Sequence, residues 1–118
     1  NFCPAVAELA EQNLIIPVCP EQLGGLPTPR HPAEISNGKV INCLGEDVTD
    51  QFIRGARETL KIAHFCKINR AVLKQNSPSC GSRFIYDGTH QNHLVSGTGI
   101  TANLLMNNGI EVISEQDL

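Results

Sequence analysis

Five cysteines, Cys3, Cys19, Cys43, Cys66 and Cys80, are the side chains of this sequence best suited to nucleophilic or soft-metal chemistry. Thiolates attack electrophiles and hold soft metals and iron–sulfur centres. No two of them form a Cys-x-x-Cys pair. A zinc ribbon, a thioredoxin-like redox pair and a ferredoxin-type run are therefore disfavoured. The odd count, without a glycosylation sequon, argues against a secreted disulfide scaffold and for a reducing cytoplasm.

Local context separates the five. Cys19 lies in Val18-Cys19-Pro20-Glu21, and Cys80 in Ser77-Pro78-Ser79-Cys80-Gly81-Ser82. Hydroxyl and backbone N–H groups beside Cys80 can donate to its sulfur, which tunes an iron–sulfur centre or lowers the pKa of a catalytic thiol. Pro17, Pro20 and Pro78 stiffen both segments, as a pre-organised ligand set requires. Cys66 falls on a helical apolar stripe and Cys43 ends an apolar stretch, so both read as small buried hydrophobes. Cys3 precedes a helix start, where a thiol pKa is lowered. Glu21 is a candidate acid–base group, with a loop carboxylate pairing with Arg30 as the alternative. Ser77 can donate to a substrate or orient water. Arg30 reads as a loop anchor pairing with Glu34 or Glu21. Lys74 is either an anion contact or a solvated strand end. His90 and His93 read as a polar surface loop. Gly97-Thr98-Gly99 reads as a close-packing turn, since the dinucleotide pattern is absent.

Those residues need a scaffold. Residues 4–13 have helical spacing, with Pro4 suited to the first turn. Leu14-Ile15-Ile16-Pro17-Val18 reads as a strand buried on both faces. Residues 19–38 are rich in Gly and Pro and read as a long functional loop. Residues 39–44 form a short strand candidate. Asp47 or Thr49 can cap a helix to about Cys66, with a stripe of Phe52, Ile53, Ala56, Leu60, Ala63 and Cys66. Residues 70–74 read as a buried strand, 83–87 as an edge strand, 100–108 as a helix closed by Gly109, and 110–113 as a last strand. The alternation predicts a single α/β domain over residues 1–118: a small, mostly parallel, Rossmann-like sheet with helices on both faces. Ligands of such sheets bind at the carboxyl ends of strands, where Cys19 and Cys80 both fall.

Length and charge narrow the classes. The 118 residues allow one domain, and 41% hydrophobic residues suffice for a core. A net charge of −3 and 4% aromatic residues disfavour a nucleic-acid binder. No apolar run approaches the roughly 18 residues of a membrane helix. So small a domain has a thin stability margin, which a cofactor or a homo-oligomer would widen.

The sequence resembles the thiouracil desulfidase family, a bacterial group formerly known as a domain of unknown function. The resemblance rests on Val18-Cys19-Pro20-Glu21, Leu23-Gly24-Gly25-Leu26-Pro27-Thr28-Pro29-Arg30, Pro32-Ala33-Glu34, Gly45-Glu46-Asp47-Val48-Thr49, Ser77-Pro78-Ser79-Cys80-Gly81-Ser82, Tyr86-Asp87-Gly88 and Gly97-Thr98-Gly99-Ile100-Thr101. It implies a 4Fe–4S cluster held by three cysteines, with one iron open to the sulfur of a thiocarbonyl substrate such as thiouracil. Desulfuration would be non-redox and would release sulfide. Two ligands map onto Cys19 and Cys80, with Glu21 and Ser77 near the open iron. The third is expected in a segment before Asn1, so an N-terminally truncated domain is expected. A rival reading keeps the same thiols in a non-catalytic iron–sulfur or metal-binding sensor or structural module. A third makes Cys80 the nucleophile of a cluster-free hydrolase.

Overall fold

The structure, a computed structural model, describes residues 4–118. Helix α1 (Pro4–Gln12) leads into an extended segment and the one-turn helix α2 (Pro20–Leu23). A hairpin follows, β1 (Ala33–Ser36) and β2 (Lys39–Asn42), then the long helix α3 (Thr49–Phe65) and strand β3 (Arg70–Leu73). A second hairpin, β4 (Phe84–Tyr86) and β5 (Leu94–Ser96), precedes helix α4 (Ile100–Asn107), strand β6 (Glu111–Ser114) and a short 3₁₀ turn (Glu115–Asp117).

The α/β class stands, and the pairing is only partly parallel. β3 and β6 run parallel, with Arg70 opposite Glu111 and Leu73 opposite Ser114. β1–β2 and β4–β5 are antiparallel. Gly38 and Asn37, both at positive φ, turn the first hairpin, as such tight connections require. Helix α4 connects the second hairpin to β6 and packs on α3 and β6. The main core lies there: Ala63, Leu73, Ala102, Leu105 and Ile110 are buried together, with Leu60, Ile68 and Cys80 against them.

Residues 14–18 depart from the expected doubly buried strand. They carry no strand pairing, Leu14 is 93% exposed, and Ile16 and Val18 are exposed as well. A strand needs a neighbour for its N–H and C=O groups, and among the described residues none lies beside this segment. The 19–38 stretch is also more ordered than a plain loop, since it holds α2 and β1.

Helix α3 buries Phe52, Gly55, Ala56, Thr59 and Ala63. Its inner line runs through small residues because two helices approach it. A Cβ at Gly55 would land inside the Pro20 carbonyl, and a Cβ at Gly24 inside the Gln51 carbonyl. The start of α3 is held by Asp47, whose Oδ1 accepts from Thr49 N at 2.9 Å. Thr49 Oγ1 in turn accepts from Val40 N at 2.8 Å, tying the helix to β2. The expected cap residues do act at this terminus, although Val48 occupies the N-cap position itself.

Candidate functional site

Cys19 stands immediately ahead of α2, with φ −122° and ψ 103°. Pro20 begins the helix where a missing N–H has no consequence, and Leu23 N bonds Cys19 O at 3.0 Å. The backbone contact between Gly24 and Gly55 sets α2 against α3, so Cys19 and Glu21 are carried on a fixed turn.

Arg30 folds back onto that turn. Its Nε donates to Glu21 Oε2 at 2.5 Å and its Nη2 to Cys19 Sγ at 3.2 Å. Its Nη1 donates to Pro27 O at 2.9 Å and Thr28 Oγ1 at 3.0 Å. One planar guanidinium thus satisfies a carboxylate, a sulfur and its own loop, which an ammonium cannot do. The Glu21–Arg30 pair foreseen in the sequence is present. Glu34 has other partners: it is buried and its Oε1 accepts from Gly88 N and His90 N, joining β1 to the turn of the second hairpin.

Cys80 sits in a loop built almost wholly from internal hydrogen bonds. Ser77 Oγ accepts from Ser79 N at 3.0 Å and Cys80 N at 3.2 Å. Buried Ser79 and Thr101 share a hydroxyl hydrogen bond of 2.8 Å. The first turn of α4 grips the same loop: Gly99 N bonds Gly81 O, Ile100 N bonds Pro78 O and Ala102 N bonds Ser79 O. A Cβ on Gly99 would lie 2.7 Å from Cys80 N, so glycine is needed for this close approach. The close-packing reading of Gly97-Thr98-Gly99 holds, and the donors at this helix start bind loop carbonyls.

The two loops meet. Negative charge on Glu21, or on Cys19 when it is ionised, acts on the Cys80 sulfur. Burial pushes the Cys80 thiol up to about 11, and such charge pushes the same way; hydrogen bonds from Ser79 and Ser77 oppose it. Cys80 therefore holds its proton at neutral pH unless a positive centre offsets its charge. That is the reverse of an activated catalytic thiol and gives the cluster-free hydrolase no support.

Cys19, Glu21 and Ser77 thus all act on Cys80, and among the described residues Cys43 and Cys66 are not among the groups that do. Cys43 and Cys66 are exposed, which corrects their reading as core residues. Cys66 caps α3 beside the 89% exposed Phe65, one turn beyond the last buried stripe residue, Ala63. Cys43 lies in the turn after β2. Cys3 falls outside the described residues. Lys74 is exposed beyond β3. His93 and His90 lie near Asp87 and Glu34, at 3.8 and 3.7 Å, in the second hairpin. Among the described residues no group of three or more His, Cys, Asp or Glu converges to hold a metal. Cys19 and Cys80 supply two soft donors, fewer than a metal centre of three or more protein ligands needs.

Two contributors were not legible as site residues. Arg30 reaches the Cys19 sulfur as well as Glu21, and the dense Pro-Thr-Pro-Arg run was the available signal. Buried Gln75 organises the Cys80 loop: its Oε1 accepts from Ser82 N, Arg83 N and Phe84 N at 3.1 to 3.3 Å. An uncharged amide closing an apolar strand, just before the cysteine loop, was its only trace.

A cavity of about 670 Å³ is lined by Glu21, by residues between 26 and 33 that include Arg30, by the turn after β2 and by the start of α3. Neither Cys19 nor Cys80 lines it.

Fold and site together define a small α/β protein that carries a pair of sulfurs on two rigid loops, flanked by a carboxylate, a guanidinium and hydroxyls. The model of the 2-thiouracil desulfurase family matches residues 2–117, and the chain belongs to that family. The chain is 41% identical to the solved 4Fe–4S-dependent thiouracil desulfidase TudS, with a TM-score of 0.92, covering 100% of this chain and 78% of that one. It is 42% identical to the uncharacterized protein YbbK of Bacillus subtilis (strain 168), over 96% of this chain and 82% of that protein. No helix among the described residues is long and apolar enough to cross a membrane.

Proposed function

We propose that this chain removes sulfur from a thiolated pyrimidine of the 2-thiouracil type, releasing sulfide and leaving a carbonyl. The observation that supports the reading is that Glu21 and Cys19 lie close enough to act electrostatically on Cys80, in a chain of the 2-thiouracil desulfurase family. The reaction balances as a hydrolysis: the C=S bond gives way to C=O, water supplies the oxygen, and the sulfur leaves as hydrogen sulfide with no net electron transfer.

Cys19 and Cys80 are proposed as two thiolate ligands of a 4Fe–4S cluster. The third ligand is assigned to a cysteine outside the described residues. When bound, such a cluster supplies a soft Lewis-acidic iron for the thiocarbonyl sulfur. The chain's own groups do the rest. Glu21, held by Arg30, is proposed to take a proton from the attacking water. Ser77 uses its oxygen lone pairs on two backbone N–H groups and its hydroxyl proton on the Cys80 sulfur, and it is proposed to turn that proton toward the departing sulfur or the ring. The free thiols at 19, 43, 66 and 80 suit a reducing cytoplasm.

Anaerobic reconstitution with iron and sulfide, followed by incubation with 2-thiouracil, tests this. The expected result is stoichiometric uracil and sulfide, with Cys19→Ser and Cys80→Ser failing to retain iron. A coloured, iron-loaded protein that leaves thiouracil unchanged would make the site a sensor or structural centre instead.

A further inference from the structure

Ser79 and Thr101 face each other inside the molecule, where the Cys80 loop meets the first turn of α4. Ser79 is 1% exposed and Thr101 is fully buried, and their hydroxyl oxygens stand 2.8 Å apart. Each hydroxyl has a single proton to give. The distance does not decide which of them donates, and the surroundings do. The Thr101 hydroxyl has no second partner among the described residues. The Ser79 hydroxyl has one, the Cys80 sulfur. A Ser79 proton sent to Thr101 would leave the Thr101 proton without an acceptor in a place closed to water, which is the costly arrangement. A Thr101 proton sent to Ser79 uses both, and that of Ser79 then falls on the sulfur.

We propose that Thr101 is a positioning residue for Cys80: its hydroxyl keeps that of Ser79 aimed at the Cys80 sulfur, whether the sulfur is a thiol or a ligand. The inference rests on the desulfuration reading for its use, and adds how this sulfur is held while another group reacts. Ser77 donates to the same sulfur but is only half-buried, so its proton can meet a substrate or water. Ser79, closed off from solvent and backed by Thr101, has nowhere else to send its own. When Ser77 turns away, one hydrogen bond therefore stays on Cys80. Cys19 has a counterpart in the Arg30 Nη2 donor at 3.2 Å. Hydrogen bonds to ligand sulfurs set the reduction potential of an iron–sulfur centre, because they favour its more negative form. Ser79 supplies the part of that setting on Cys80 that does not move.

Two measurements test this, the first without a cluster. In the isotopically labelled chain both hydroxyl protons should exchange slowly with water. Nuclear Overhauser contacts should place the Thr101 hydroxyl proton by the Ser79 methylene, and the Ser79 hydroxyl proton by that of Cys80. A Ser79 proton found against the Thr101 methyl group, or free exchange of either proton, would overturn the assignment. The second uses the full chain reconstituted anaerobically with iron and sulfide. Ser79→Ala should shift the reduction potential to a more negative value. Thr101→Val, which keeps the volume and removes the donor, should shift it the same way by less, and Thr101→Ser should restore it. A wild-type potential in Thr101→Val would show that Ser79 needs no backing. A shift that Thr101→Ser fails to restore would make the contribution one of packing, and either result overturns the proposal. These shifts in a protein that leaves thiouracil unchanged would defeat the desulfuration reading alone. Turnover with the Ser79 proton on Thr101 would defeat the role of Thr101 alone.

Discussion

The guanidinium of Arg30 donates to the sulfur of Cys19 across 3.2 Å, from eleven positions further along the chain. The same group bonds Glu21, so the spacing between that sulfur and that carboxylate is set by a rigid planar fork. Thr28 anchors the loop that delivers it, taking a 2.6 Å hydrogen bond from Gln22 of α2. The long Gly/Pro-rich stretch therefore acts as a brace across its own beginning.

Replacing Arg30 tests that brace. Arg30→Lys keeps the charge and loses the fork, so one of the two acceptors must be released. Arg30→Gln loses charge and fork together. Both variants should remain folded, because the guanidinium lies at the edge of the structure, outside the core. Desulfuration in Arg30→Lys should fall about 10–100-fold, the usual scale for a group that orients a ligand. Iron content measured beside the rate separates a loosened cluster from a misplaced Glu21.

Much of this arrangement was legible in the sequence because local rules suffice for it. Helix α3 follows its apolar period and the Asp47–Thr49 start signal, and α4 ends beside Gly109, which has φ +81°. Cys19 and Cys80 stood out through their proline and serine neighbours. Other features depend on contacts distant in the sequence. Whether residues 14–18 join a sheet depends on a neighbour they do not specify. Cys66 has the helical spacing of a core residue, yet the helix ends where nothing covers it. The crossing of α2 and α3 depends on two glycines thirty-one positions apart, and no periodicity marks such a pair.

That crossing gives a second prediction. Gly55→Ala would drive a methyl group into the Pro20 carbonyl, and the backbone on both sides must move. Overpacking of this kind costs about 1–3 kcal/mol, occasionally more. Chemical denaturation should show a lower midpoint, and Cys19 should become more accessible to alkylation because α2 carries it. An unchanged midpoint would mean that the two helices are not pressed together.

The thiols should separate by pH. Cys43 and Cys66 are exposed and should react first with iodoacetamide near pH 8, while Cys80 should be the slowest of the described cysteines. Its folded-state pKa is raised from 9.0 to about 11, so its thiolate is scarce at pH 8 and grows toward pH 11. The sign for stability follows from the same shift. Above about pH 9 the unfolded chain loses this proton while the folded one keeps it, so the unfolded state binds fewer protons. The stability linked to Cys80 is fully present below pH 9 and is lost as pH rises toward 11. Wild type should therefore lose more stability than Cys80→Ala between those values. Mass-spectrometric alkylation ladders and denaturant midpoints at several pH values check both statements.

Gln75 supplies the last prediction. Its side-chain oxygen accepts from three successive backbone N–H groups, Ser82, Arg83 and Phe84, just past the cysteine. Its own N–H is held by Glu115, which ties the loop to the chain after β6. Gln75→Leu preserves the volume of this buried residue and removes the acceptor. The three donors must then find water in a partly enclosed loop or remain unsatisfied, at a cost of roughly 1–3 kcal/mol. Hydrogen exchange at residues 82–84 should accelerate well beyond that in α4, since α4 retains its own packing. Reconstituted Gln75→Leu should also hold iron less tightly, because the loop that presents Cys80 has lost its inner support. Exchange that stays slow at those three amides would show that the first turn of α4 alone is enough to fix the loop.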